Sequence, residues 1–238
     1  MRIYGRNSVS ERLKADARSV KSLLLDKDQE LKEFERMARS KGITVRYFNA
    51  REFEKISRNI RAQGVIAEVE DFKYSDLEEV LSQHTERPPV ILFLDNLNDP
   101  QNLGNILRTA ACFGRFVIVL PKHDSVEITE AVLRIASGAE NYVPIVQSTN
   151  LSAVISYAKK QGYWIAGAVV EGGEPLGRAR LNFPLGVVIG SEAKGIRQGL
   201  LKQLDFSFSI PMRGARLSFN VATAAAIFCY EASRQRGL

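Results

Sequence analysis

The chain is poor in the side chains that usually build metal sites and cross-links. Its 238 residues include two cysteines, Cys112 and Cys229, and two histidines, His84 and His123. Each cysteine lies inside an apolar helical pattern, which predicts two buried, reduced thiols rather than a disulfide. No cysteine or histidine pair has ligand spacing, so no metal is expected. Apolar runs are short as well. None approaches the roughly 20 residues of a membrane span, and MRIYGRNSV has no apolar signal-peptide region. No membrane partner is therefore expected, and the expected compartment is the cytoplasm. Two nucleotide signatures are also missing. GSEAKGIR places Lys194 before Gly195, where a phosphate loop requires Gly-Lys-Ser/Thr, and no GxGxxG occurs.

What is present is an ordinary globular composition, 45% apolar and 25% charged, with a net charge of +6. The positive balance suits a polyanionic partner. It is uneven: residues 1–72 carry 16 Lys and Arg against 12 Asp and Glu, so this shorter part holds most of the excess.

The periodicity divides the chain. SVSERLKA reads as a helix, VKSLLLD as a strand, QELKEFERMARSKG as an amphipathic helix ending at Gly42, and ITVRYF and GVIAEVE as strands. Residues 1–72 thus form a small α/β domain. Residues 73–87 are polar and run into Pro88-Pro89, which a helix cannot cross, so they read as a linker. Residues 88–238 alternate apolar strands (VILFLD, FVIVLP, YVPIVQ, YWIAGAVV, LGVVIGSE, FSFSIPM) with helical patterns. Strands that apolar throughout belong to a parallel sheet covered on both faces.

Ligands of open α/β sheets bind beyond the carboxyl ends of the strands, and three turns there stand out. The first, DNLNDPQNLGNILRTAACFG, crowds four amides before a helix expected from about Leu103. Taken alone, Asn102 would cap that helix and Arg108 would be a solvated side chain. Six residues apart, the two share no helical face unless Asn102 lies in the turn. The second, LGVVIGSEAKGIR, ends a strand at Gly190, whose missing side chain allows close approach of a ligand, with Glu192 at the rim or simply in a first helical turn. In the third, SIPMRGARLSFNVATAAA, Pro211 and Gly214 make an irregular loop, Ser218 or Asn220 can cap the next helix, and Ala222, Ala225, Ala226 and Cys229 give that helix a small face for close packing.

In this order, DPQNLGNILRTAACFG, VVIGSEAKGIR and IPMRGARLSFNVATAAAIFCYEASRQR resemble the three signature motifs of the SpoU class of SPOUT RNA 2′-O-ribose methyltransferases. IYGRNSVSERL and QGVIAEV resemble the ribosomal-protein-like N-terminal RNA-binding domain of the bacterial 23S rRNA guanosine-2′-O-methyltransferases. The resemblance implies a C-terminal parallel-sheet domain with a deep trefoil knot that holds S-adenosylmethionine, and a homodimer through that domain whose interface builds the active site. It implies Asn102, Arg108, Glu192, Ser218 and Asn220 as polar active-site residues, with Gly190, Ile210 and Phe219 lining the cofactor mostly through backbone. Phe219 stands where relatives usually carry Leu, which should alter packing near the cofactor. Ala62 stands where many carry His. Arg58 and Arg61, beside QGVIAEV in the more basic domain, are the expected RNA contacts.

The implied reaction is methylation of a ribose 2′-hydroxyl in structured RNA, with a guanosine of 23S rRNA as the expected substrate. A tRNA substrate, or a non-catalytic RNA-binding protein on the same scaffold, are the alternatives. Family practice assigns the base role to the motif-one arginine. A guanidinium holds its proton too tightly to suit that role. Stabilising developing alkoxide charge and binding phosphate suits Arg108 better.

Overall fold

The computed structural model describes residues 1–58, 60–191, 194–214 and 217–237. They divide into two compact units, Met1–Lys73 with Ile128–Tyr142, and Tyr74–Glu127 with Val143–Leu238.

In the first unit the chain runs β1 (Arg2–Tyr4), α1 (Arg6–Ala15), β2 (Val20–Asp26), α2 (Lys32–Ser40), β3 (Thr44–Phe48), α3 (Ala50–Ser57) and β4 (Val65–Val69). The sheet order is β1-β4-β2-β3, with β2 and β3 parallel and the other pairs antiparallel. Sequence periodicity missed β1 and α3. The signal for α3 was local: Asn49 and Glu52 form a reciprocal capping box, each side chain bonding the other's backbone N–H at 3.0 Å. Residues 128–142 are bound to this unit by polar contacts. Glu130 accepts from the Arg2 N–H at 2.7 Å and from the Tyr4 hydroxyl at 3.2 Å, and buried Glu140 pairs with Arg12 at 3.3 Å. Burial raises the carboxyl of Glu140 above the usual carboxylate range, and the Arg12 guanidinium opposes that shift.

The second unit contains α4 (Leu77–Ser82), β5 (Val90–Leu94), α5 (Pro100–Phe113) and β6 (Phe116–Pro121). After α6 (Glu130–Ala136), within the segment already placed in the first unit, come β7 (Ile145–Ser148), α7 (Leu151–Lys160), β8 (Trp164–Val169), β9 (Glu174–Pro175), β10 (Leu185–Ile189), α8 (Gln198–Leu201), β11 (Phe206–Ser209) and α9 (Val221–Gln235). Among the described residues its sheet has the order β7-β6-β5-β10-β8-β11-β9, and all its pairings are parallel. Along β5, Ile91 and Phe93 join a core that includes Leu151 and Ile155 of α7, while the alternate Leu92 and Leu94 are equally buried. Both sheet faces are therefore covered, as the unbroken apolar strands predict. Within 73–87, Asp76 caps α4 through the Glu79 N–H, and Leu77 and Val80 enter the same core.

Cys229 is buried in α9, and burial pushes its thiol up to about 12, which makes it an inert packing group. Cys112 is free but exposed, contrary to its apolar context, because it falls on the outer stripe of α5. Across the described residues no helix is long and apolar enough to cross a membrane.

Candidate functional site

The carboxyl ends of β8 and β10 and the segments after β10 and β11 enclose a cleft of about 660 Å³, open to solvent. Its walls are mostly apolar, from Val169, Ile189, Ile210, Met212, Phe219 and Phe228. Gly190, Ile210 and Phe219, the three expected cofactor residues, all line it, and so does Ser218. Phe219 is 40% exposed and Met212 38%, so the cleft presents large apolar side chains at its surface. Apolar walls combined with irregular backbone at 190–191 and 210–212 fit a flat heterocycle and an aliphatic chain.

Gly190 is required for a reason that spacing could not reveal. A Cβ there would lie 2.1 Å from the carbonyl carbon of Gly195 and 2.3 Å from the Ile196 nitrogen. The missing side chain makes room for the chain's own backbone, where the loop closes through the Gly195 N–H to the Ser191 carbonyl at 2.8 Å. Gly195 has φ 64°, a left-handed conformation that glycine adopts without strain. Glu192 falls within this loop but lies outside the described residues.

The loop is tied to the sheet by a residue that the sequence analysis passed over. Asp95, fully buried at the end of β5, accepts the Arg197 N–H at 2.9 Å through Oδ2. Its Oδ1 lies 2.7 Å from Arg197 Nε as an ion pair without hydrogen-bond alignment. A carboxylate ending an apolar strand was the available signal. Its partner, 102 residues away, was not legible.

Asn220, not Ser218, caps α9: its Oδ1 accepts from the N–H groups of Ala222 at 2.9 Å and Thr223 at 3.4 Å. Its Nδ2 donates to Asn102 Oδ1 at 2.9 Å, which joins the first and third motifs across 118 residues. The pairing is supported by helix packing. α5 and α9 lie against each other, with Ala225 and Cys229 fully buried, Ala222 nearly so, and Ala226 half-buried.

The expected start of α5 needs correcting. The helix begins at Pro100 and is capped by Asp99, whose carboxylate accepts from the Gln101 N–H at 2.8 Å; Asn102 therefore sits inside the first turn. Pro at the first helical position and Asp before it are strong start signals, and they outweigh the later asparagine. As a consequence Asn102 is buried, whereas Arg108, about 240° further round the helix, is exposed on a stripe with Gln101, Asn105 and Cys112. Within one chain the two residues face different ways.

In the first unit Arg58 and Arg61 are exposed, Arg58 at the left-handed end of α3 (φ 53°). The loop that follows is held by Arg6, whose backbone N–H and Nε donate to Gln63 at 3.1 and 3.3 Å. Ala62 is buried in the core with Tyr4, Leu24, Phe53 and Ile66, so that position offers no surface for RNA.

Residues 89–230 match the SpoU rRNA methylase family model. The chain belongs to that family. Residues 2–75 match a second model, RNA 2′-O ribose methyltransferase substrate binding. The chain is 35% identical over 239 residues to the 23S rRNA (guanosine-2′-O-)-methyltransferase RlmB of Coxiella burnetii, covering 98% of this chain and 95% of that protein. It is 33% identical over 240 residues to RlmB of Ralstonia nicotianae, covering 99% and 96%. The fold superposes with a TM-score of 0.84 on the SpoU methyltransferase AviRb of Streptomyces viridochromogenes in complex with AdoMet, at 21% identity over 99% of this chain and 90% of that one.

Proposed function

We propose that this SpoU family member transfers a methyl group from S-adenosylmethionine to a ribose 2′-hydroxyl of structured RNA, with a guanosine of 23S rRNA as the substrate and the cytoplasm as the compartment. The observation that carries the reading is the Asn102–Asn220 hydrogen bond, next to a cleft lined by Gly190, Ile210, Ser218 and Phe219. The near full-length match to two RlmB proteins supports the substrate.

In this reading Gly190, Ile210 and Phe219 hold the cofactor, which supplies an electrophilic methyl on a sulfonium. The protein's part is alignment, which alone can lower a barrier by roughly 7 to 11 kcal/mol. Asn220 is fixed by its capping bonds and in turn fixes the Asn102 amide, leaving the Asn102 NH₂ to hold a ribose oxygen. Ser218 adds a hydroxyl to the polar rim, and the family motif assigns Glu192, outside the described residues, to the same polar set. Arg108 neutralises charge on the oxygen as its proton passes to solvent water and the sulfonium leaves as a neutral thioether, and it binds an RNA phosphate. Arg58 and Arg61 on the first unit grip the RNA. The family's trefoil knot, threading α9 behind the cleft, belongs to the same reading.

The same reading includes a homodimer through the second unit, supported by two features: Arg108 faces away from Asn102, and half-buried Phe113 and exposed Tyr230, 6.2 Å apart, lie across α5 and α9. A second copy would cover that pair and bring Arg108 to a site that it cannot share with its own Asn102. Mixing inactive Arg108→Ala protein with inactive Asn220→Ala protein should then restore methylation to roughly a quarter of the wild-type rate, since one site in each mixed dimer is intact. Absence of recovery after demonstrated subunit exchange would exclude a shared site.

Two measurements test the function itself. Calorimetry should show S-adenosylmethionine binding; no binding would favour a non-catalytic RNA-binding scaffold. Mapping 2′-O-methyl sites in RNA from a deletion strain should reveal one lost site in 23S rRNA, and a lost tRNA site instead would move the substrate to tRNA.

A further inference from the structure

At the amino ends of β5, β6 and β10 lies a second cleft, of about 800 Å³, lined by Arg87, Arg115 and Arg236 together with Glu86 and Phe183. Arg87 stands just before the Pro88-Pro89 entry to β5, Arg115 immediately before β6, Phe183 before β10, and Arg236 caps the end of α9. Residues distant in sequence are thus gathered because parallel strands present all their amino ends on one side.

Three cations around one cleft repel one another, so each needs a reason to be there. Arg236 has a structural one. Its Nη2 donates to the Pro88 carbonyl at 2.6 Å, and its guanidinium lies 5.5 Å from the centre of the Phe183 ring. Burial holds it below the usual arginine range, and the charges of Arg115 and Arg87 push it the same way. Arg87 and Arg115 are exposed and show no such anchoring. Among the described residues none of the three is ion-paired with a carboxylate, Glu86 included. An anion in the cleft would relieve this repulsion, and guanidinium forks match phosphate oxygens two at a time.

We infer that Arg87, Arg115 and Arg236 form a phosphodiester-binding site on the catalytic unit, separate from the cofactor cleft, that takes the backbone of the RNA substrate. Pro184 and Gly190 bracket β10, so the two clefts are about 20 Å apart at about 3.3 Å per residue. The site therefore grips RNA several nucleotides from the reacting ribose and adds affinity without chemistry. This inference rests on the proposal that the substrate is RNA.

The test is binding of a fluorescein-labelled RNA hairpin by the full chain as a function of salt. Replacing Arg87 and Arg115 together by Ala, with Arg236 kept because it bonds Pro88, should weaken binding about tenfold or more at low salt. The slope of log K against log salt should become shallower by about 1.4 to 1.8, two phosphate contacts at 0.7 to 0.9 each. The thermal midpoint and S-adenosylmethionine affinity should stay at wild-type values, and Arg87→Lys with Arg115→Lys should regain most of the slope. An unchanged slope in the folded alanine variant overturns the inference while leaving the RNA reading intact. Failure of the wild type itself to bind the hairpin overturns both. If sodium tripolyphosphate binds the wild type but not the alanine variant, and RNA binding is the same in both, the cleft serves a small free anion and the RNA assignment falls.

Discussion

Arg108→Ala is expected to lower the single-turnover rate of methyl transfer about 100- to 1,000-fold, the usual consequence of deleting one preorganised charge-stabilising donor. S-adenosylmethionine affinity should barely change, because the described lining of the cleft comes from the ends of β8 and β10, the segments after β10 and β11, and α9, and not from α5. Arg108→Lys keeps a cation on the outer stripe of α5 but loses the planar fork, so activity should be reduced and measurable. The pH profile separates the two roles open to this side chain. A charge stabiliser need not titrate, and Arg108→Lys would then follow the wild-type profile at lower amplitude. A rate in Arg108→Lys that climbs steeply toward the lysine range, with the wild type flat, would mean that the side chain must lose a proton, and the general-base role would replace charge stabilisation.

Gly190→Ala should be the most damaging single-methyl change in the second unit. The added carbon would meet backbone atoms of Gly195 and Ile196 at 2.1 to 2.3 Å, and backbone cannot swing aside as a flexible side chain can. The loop must open, and the Asp95 attachment at Arg197 resists that movement. Overpacking of this kind costs roughly 1 to 3 kcal/mol, so the thermal midpoint should fall by several degrees. S-adenosylmethionine binding should be lost in calorimetry, while hairpin RNA binding through Arg58 and Arg61 on the first unit should persist. Wild-type cofactor affinity in Gly190→Ala would show that the cleft lined by Gly190, Ser191 and Gly195 does not hold the cofactor.

Much of this molecule was legible without coordinates, for local reasons. β5, β6 and β10 could be read because strands buried on both faces carry little but apolar residues, and Val20–Asp26 because its apolar run is bounded by polar turns. The three motifs announced a site because amides, glycines and prolines cluster where strands end. Lone asparagines were less informative. Asn102 could cap a helix or meet a partner, and its own neighbours Asp99 and Pro100, rather than any distant contact, decided that it lies within α5.

The sequence by itself determined the strand and helix alternation, the apolar sheet and the location of the polar turns, since these follow from periodicity and from local turn and capping chemistry. The tertiary structure alone decided which turns meet: Asn102 with Asn220, Asp95 with Arg197, and Arg87 with Arg115 and Arg236. It also decided that Gly190 makes room for backbone and that residues 128–142 join the first unit. Such pairings depend on strand order and on the way helices pack, and sheet order is set by the burial of whole faces against one another. No spacing along the chain encodes that.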